Sequence, residues 1–104
     1  MRRGTTPILS FSTEFLASEI NSGYITFRQK GKGIILEKEI PGEGVTVSDY
    51  EIVLNLTQEE TLIFRSVYTD RAEVQIRLNV NDNEAVASNI LVVSIKGIIK
   101  EGVI

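Results

Sequence analysis

The chain has 104 residues, with Lys+Arg 11 against Asp+Glu 14 and a formal net charge of −3. That balance offers no phosphate-neutralising surface and argues against nucleic-acid binding; 42% hydrophobic residues and only 2 Pro exclude collagen-like and disordered classes. Cys and His are both 0, which removes disulfide frameworks, Cys/His zinc sites, Cys nucleophiles and His-based triads.

Length supports a single domain over residues 1–104. A chain of this size buries roughly two thirds of its unfolded surface, enough for one core without staples. The longest apolar run, Ile90–Val93, falls far short of the ~20 residues that span a bilayer. Met1-Arg2-Arg3 is a basic start, but Gly4-Thr5-Thr6-Pro7 follows it where a signal peptide has its apolar stretch. The expectation is a chain that stays in the compartment where it is made, with no membrane partner.

In chain order, the dominant period is two, which places successive side chains on opposite faces of a strand. Leu9 and Phe11 alternate with Ile8, Ser10 and Ser12. From Gly23 to Lys30, Ile25 and Phe27 share one face, and Tyr24, Thr26 and Arg28 the other. Gly31-Lys32-Gly33 predicts a tight hairpin into a strand over Ile34–Glu39, because glycine tolerates positive φ. Pro41-Gly42-Glu43-Gly44 ends that strand. A further strand covers Tyr50–Thr57, with Tyr50, Ile52, Leu54 and Leu56 expected inward.

Thr57-Gln58-Glu59-Glu60 fits a capping box and predicts one short helical turn near residues 58–63, with Leu62 and Phe64 on the core. Arg71–Val80 is the clearest alternation: Ala72, Val74, Ile76, Leu78 and Val80 against Glu73, Gln75, Arg77 and Asn79. Asn81-Asp82-Asn83 reads as a turn. Ala87–Ile99 reads as one long strand, apolar on both faces, and therefore central or covered by a partner. About seven strands with turns at this spacing predict an all-β, immunoglobulin-like two-sheet antiparallel sandwich, the helical turn at the crossover between sheets.

Carboxylates are the main acid–base groups left. Glu59 and Glu60 suit a helix cap, Glu37, Glu39 and Glu73 a solvated face, and Asp82 a turn. The segment after Asn83 lacks the spaced oxygens of a calcium loop. Gly31-Lys32-Gly33 is followed by a strand, not by the helix of a phosphate loop. No catalytic residue, cofactor or metal is expected, and the chain reads as non-enzymatic. The termini are the candidates for interaction. Residues 1–6 are either a frayed end or a flexible arm that docks on a neighbouring subunit. Residues 97–104 carry four aliphatics beyond the last strand, packed locally or held by a partner. The candidate contact residues are Arg2, Arg3, Thr5 and Thr6 at one end, and Ile98, Ile99, Val103 and Ile104 at the other.

The opening Met1-Arg2-Arg3-Gly4-Thr5-Thr6-Pro7 with Leu9-Ser10-Phe11, then Leu56-Thr57-Gln58-Glu59-Glu60-Thr61-Leu62, Val74-Gln75-Ile76-Arg77-Leu78 and Ala87-Ser88-Asn89-Ile90, together resemble a family of small proteins encoded in prophages of Gram-positive bacteria. Members often end in an acidic, leucine-containing tail; Lys100-Glu101-Gly102-Val103-Ile104 is less acidic. By fold analogy the domain is also similar to the N-terminal immunoglobulin-like module of phage upper-baseplate proteins. The resemblance implies a structural tail or baseplate component. Its partners would be other phage structural proteins or copies of itself, as a homo-oligomer. It would be located in the bacterial cytoplasm during assembly and in the virion afterwards. The other reading is a carbohydrate- or surface-protein-binding module.

Overall fold

The computed structural model describes residues 1–65, 69–98 and 102–104. Its strands are β1 (Ile8–Ser12), β2 (Ile20–Gln29), β3 (Gly33–Ile40), β4 (Val45–Ser48), β5 (Glu51–Asn55), β6 (Thr69–Val80), β7 (Glu84–Ala87) and β8 (Leu91–Lys96), with one helix, α1 (Gln58–Leu62), and a 3-10 turn at Ala17–Glu19. A three-stranded sheet runs β1-β5-β4. The larger sheet runs β3-β2-β6, with β7 and β8 both on β6. All strand pairs are antiparallel. This order matches strands B-E-D facing C′-C-F-G in an immunoglobulin-like sandwich, with α1 at the E–F crossover.

The alternation becomes the core. Ile25 and Phe27 of β2, Ile52 and Leu54 of β5, and Ala72, Val74, Ile76, Leu78 and Val80 of β6 are all buried, and Phe11, Leu56, Phe64 and Ile95 close the same cluster. Phe27 and Phe64 meet edge to face with centroids 5.4 Å apart, a geometry that adds attraction beyond the area buried. Gly23 takes an inward position on β2 where a Cβ would lie 2.3 Å from the Arg77 carbonyl oxygen, so only glycine lets the strands approach there. Gly31 and Gly33 take the positive φ that the hairpin needs.

The capping box forms as expected. Thr57 Oγ1 accepts from Glu60 N at 3.1 Å, and Glu60 Oε1 accepts from Thr57 N at 2.9 Å. Glu60 Oε2 also accepts from Lys38 Nζ at 2.6 Å, tying α1 to β3. Burial opposes ionisation of Glu60, but the Lys38 and Thr57 hydrogen bonds outweigh it and hold the carboxyl below its ordinary value. A depressed carboxylate stabilises the fold fully above its unfolded value, about 4.3. That stability is lost as pH falls through the folded value. Acid denaturation followed by circular dichroism should therefore show a shallower acid limb in Glu60→Gln than in the wild type.

Three expectations are corrected. Tyr50 is not inward: it sits in the two-residue turn between β4 and β5 at φ 66°, exposed. Its main chain accepts from Thr13 N and donates to Phe15 O, bonds that hold a conformation alternation does not encode. Leu62 is only half-buried, while Thr61 fills the buried position on α1.

The third correction concerns the run from Ala87, expected as one strand: Ala87 ends β7 and a separate β8 covers Leu91–Lys96, giving eight strands among the described residues where about seven were expected. From the Arg77–Ala87 pair to the Val74–Leu91 pair, β6 moves three positions and its neighbour four. The extra residue is accommodated at Ser88. Its N–H donates to Ile76 O and its Oγ accepts from Ile76 N, so one residue serves both main-chain groups of Ile76. The chain leaves the ladder there and Ile90 is exposed beside the outer sheet face.

Candidate interaction surfaces

The segment 1–6, expected as a flexible arm, lies along its own domain. Met1 N donates to Ser94 O, Lys96 N to Met1 O, and Arg3 N to Lys96 O, so Arg2 forms a parallel bridge with Lys96. Side chains reinforce this short added strand: Arg2 Nη1 donates to Gly97 O at 2.7 Å and Arg3 Nη2 to Leu62 O at 3.1 Å. Gly4 N donates to Thr61 Oγ1 at 2.9 Å, and that hydroxyl lies 3.1 Å from Thr5 O. Thr5 Oγ1 donates to Arg2 O. Thr6 is exposed. The arginines therefore serve main-chain carbonyls of their own chain, a use that composition cannot distinguish from a free basic arm.

Thr61 is the hinge of this arrangement, because its fully buried hydroxyl is the acceptor for Gly4 N. Thr61→Val keeps the shape and removes the acceptor, at a cost of about 1–3 kcal/mol for the stranded N–H. Hydrogen exchange should show the Gly4 amide losing protection in this variant.

The C-terminal tail reaches the same end of the domain. Ile98 is half-buried against Gly4, where a Cβ would lie 2.8 Å from Ile98 Cδ1. Ile104 N donates to Gln58 Oε1 on α1 at 2.8 Å. Val103 and Ile104 keep exposed side chains. Ile99 lies outside the described residues. Arg3, Thr5 and the Ile104 main chain thus meet α1, with Arg2 on Gly97 and Ile98 on Gly4 beside them, whereas Thr6 and the Val103 and Ile104 side chains face solvent.

A different exposed strip was not singled out as a site by residue pattern. Ile90, Leu91 and Val92 are 50%, 39% and 59% exposed. Leu91 and Val92 open β8 and Ile90 immediately precedes it, all beyond the stretch that Met1–Arg3 covers. Adjacent residues of an antiparallel strand turn their N–H and C=O groups to opposite edges. Ser94 O and the Lys96 main chain face the N-terminal segment, so Val92, in the same phase, presents its N–H and C=O to the open edge. The signal in the sequence was the two-sided apolar run; what it lacked was which side of β8 had a neighbour.

Concavities are present elsewhere on the surface. A cleft of about 440 Å³ opens between the sheets, lined by Phe15, Ile52, Ile76, Leu78 and Val86, with Ser12, Thr13 and Glu14 also on its wall. A smaller groove of about 240 Å³ crosses the outer face of the larger sheet, with Thr26, Gln75, Arg28, Glu73 and Arg77 between Ile34 and Ile90. Arg28 and Glu73 form an ion pair at 3.0 Å there, both sides well solvated, so the pair contributes little to stability. No helix among the described residues is long and apolar enough to cross a membrane. No family model, no curated protein and no solved structure matches the chain.

Proposed function

We propose that this protein is a non-enzymatic structural component of a phage or prophage particle, of tail or baseplate type, working through protein–protein contact. The observation that carries the reading is the exposed aliphatic run Ile90-Leu91-Val92 at the start of β8. Apolar side chains beside unpaired main-chain groups favour strand addition by another chain, and a symmetric particle multiplies weak contacts of this kind. The sequence resemblance to prophage-encoded proteins supplies the context. Purified particles from an induced lysogen, analysed by mass spectrometry, should contain the protein; expression in the lysate with none in the particles overturns the proposal.

One observation favours a second reading, a carbohydrate- or surface-protein-binding module. The groove on the outer sheet face carries Arg28, Glu37, Glu73, Gln75 and Arg77, and Tyr24, the cross-strand neighbour of Arg77, is 46% exposed. Planar polar groups beside an aromatic ring suit sugar hydroxyls and faces. A glycan array with hits abolished by Tyr24→Ala would favour this reading over the first.

A further inference from the structure

From the juxtaposition of the open β8 edge at Val92 with the in-cis strand Met1–Arg3 on the remainder of that edge, we infer that β8 is a homotypic docking edge. A second copy of this chain pairs with it antiparallel, and the N-terminal segment limits how far that pairing extends. The inference rests on the contact reading above and names its partner.

Three features select a second copy as the occupant. The first is self-complementarity. Val92 offers both an N–H and a C=O to the edge, and antiparallel pairing about a two-fold axis lets each copy satisfy the other from the same stretch. The second is charge. Between Asn89 and Ile95 there is no charged residue, so two copies of a chain with net charge −3 meet where neither repels the other. The third is continuity: Met1–Arg3 already adds to this edge through main-chain bonds at Ser94 and Lys96, so the edge accepts a strand, and the unfilled part is its continuation.

The other edges are guarded. β3 carries Glu37, Lys38 and Glu39 and runs into Pro41; β4 has four residues and is followed by Asp49; β7 has four residues and opens on Glu84; β1 has five residues and is entered from Pro7. Charges, short strands and proline are the devices that stop edge pairing. The stretch Leu91–Val93 has none of them. Pairing there would join two larger sheets into one continuous sheet and bring Ile90, Leu91 and Val92 of both copies together. Because Met1 occupies Ser94, the ladder in the full chain is short and the association correspondingly weak.

The test needs no added ligand: analytical ultracentrifugation of the full chain across concentration, beside Val92→Pro and a chain lacking residues 1–3. Proline is tolerated where the N–H faces away from the ladder, so Val92→Pro should keep the wild-type circular dichroism spectrum and sediment as a monomer. Freeing Ser94 and Lys96 adds main-chain bonds, so the shortened chain should dimerise about tenfold more tightly or better. In the unmodified full chain, the Val92 amide should gain hydrogen-exchange protection as concentration rises, a readout that does not depend on a variant folding. A full chain that stays monomeric with concentration-independent exchange at Val92 overturns the inference, as does a dimer that persists in Val92→Pro. If the chain is monomeric throughout yet Val92→Pro is lost from particles, a different protein occupies the edge; the homotypic inference then fails while the particle reading stands.

Discussion

Phe64→Ala lowers the stability of the domain by about 3–5 kcal/mol. Phe64 is fully buried just after α1, and its ring meets that of Phe27 on β2 at 5.4 Å with planes 76° apart. Truncation removes that aromatic contact and leaves a void between β2 and the crossover. The surrounding strands are held by ladder bonds and cannot collapse into it. Urea unfolding should show the midpoint falling with an unchanged slope, since the surface exposed on unfolding is nearly the same. Phe64→Leu, which refills most of the volume, should recover more than half of the loss. A midpoint for Phe64→Ala within experimental error of the wild type would remove Phe64 from the core.

Gln29→Leu is the second large effect, and it acts through polar atoms. Gln29 occupies the inward phase of β2 after Ile25 and Phe27, yet it is 1% exposed and polar. Its Oε1 accepts from Arg65 N at 2.7 Å, and its Nε2 donates to Arg65 O at 2.9 Å and Arg71 O at 3.4 Å. One amide therefore joins the residue that follows α1 to the start of β6. Leucine fills similar space but strands the Arg65 N–H and removes the donor for both carbonyls, at a cost of about 1–3 kcal/mol. Gln29→Glu separates packing from hydrogen bonding. A carboxylate cannot donate to the two carbonyls, so this variant should be the less stable of the two at neutral pH. It should recover as pH falls and the carboxyl gains a proton. Equal stability of Gln29→Glu at pH 7 and at pH 4, after subtracting the wild-type change, would show that the amide donors contribute nothing.

Gln29 also marks the limit of reading by alternation. A polar residue in the buried phase signals a hydrogen-bonding duty, and position alone locates it at the sandwich end. Its partners, Arg65 and Arg71, are more than thirty residues away in sequence, so no local pattern names them. The same holds for Arg2 and Arg3: a basic N-terminus looks like a free arm until the carbonyls of Leu62 and Gly97 are brought beside it. Thr61 would pass for an ordinary helix residue until Gly4 N arrives at its hydroxyl.

The elements themselves were legible wherever one face is wet and the other dry. β6, β2 and β5 declare their inward residues because polar side chains cannot fill the buried phase without partners. The capping box at Thr57–Glu60 declares its helix because both bonds close within four residues. Residue order along the chain was enough for these features, since each depends on a period or on a contact between near neighbours. The run after Asn83 had no such contrast. Its division at Ser88, the docking of Met1–Arg3 on one half of β8 and the bare half at Val92 depend on which strands lie alongside. Those are pairings between distant segments, and chain folding alone chooses among them.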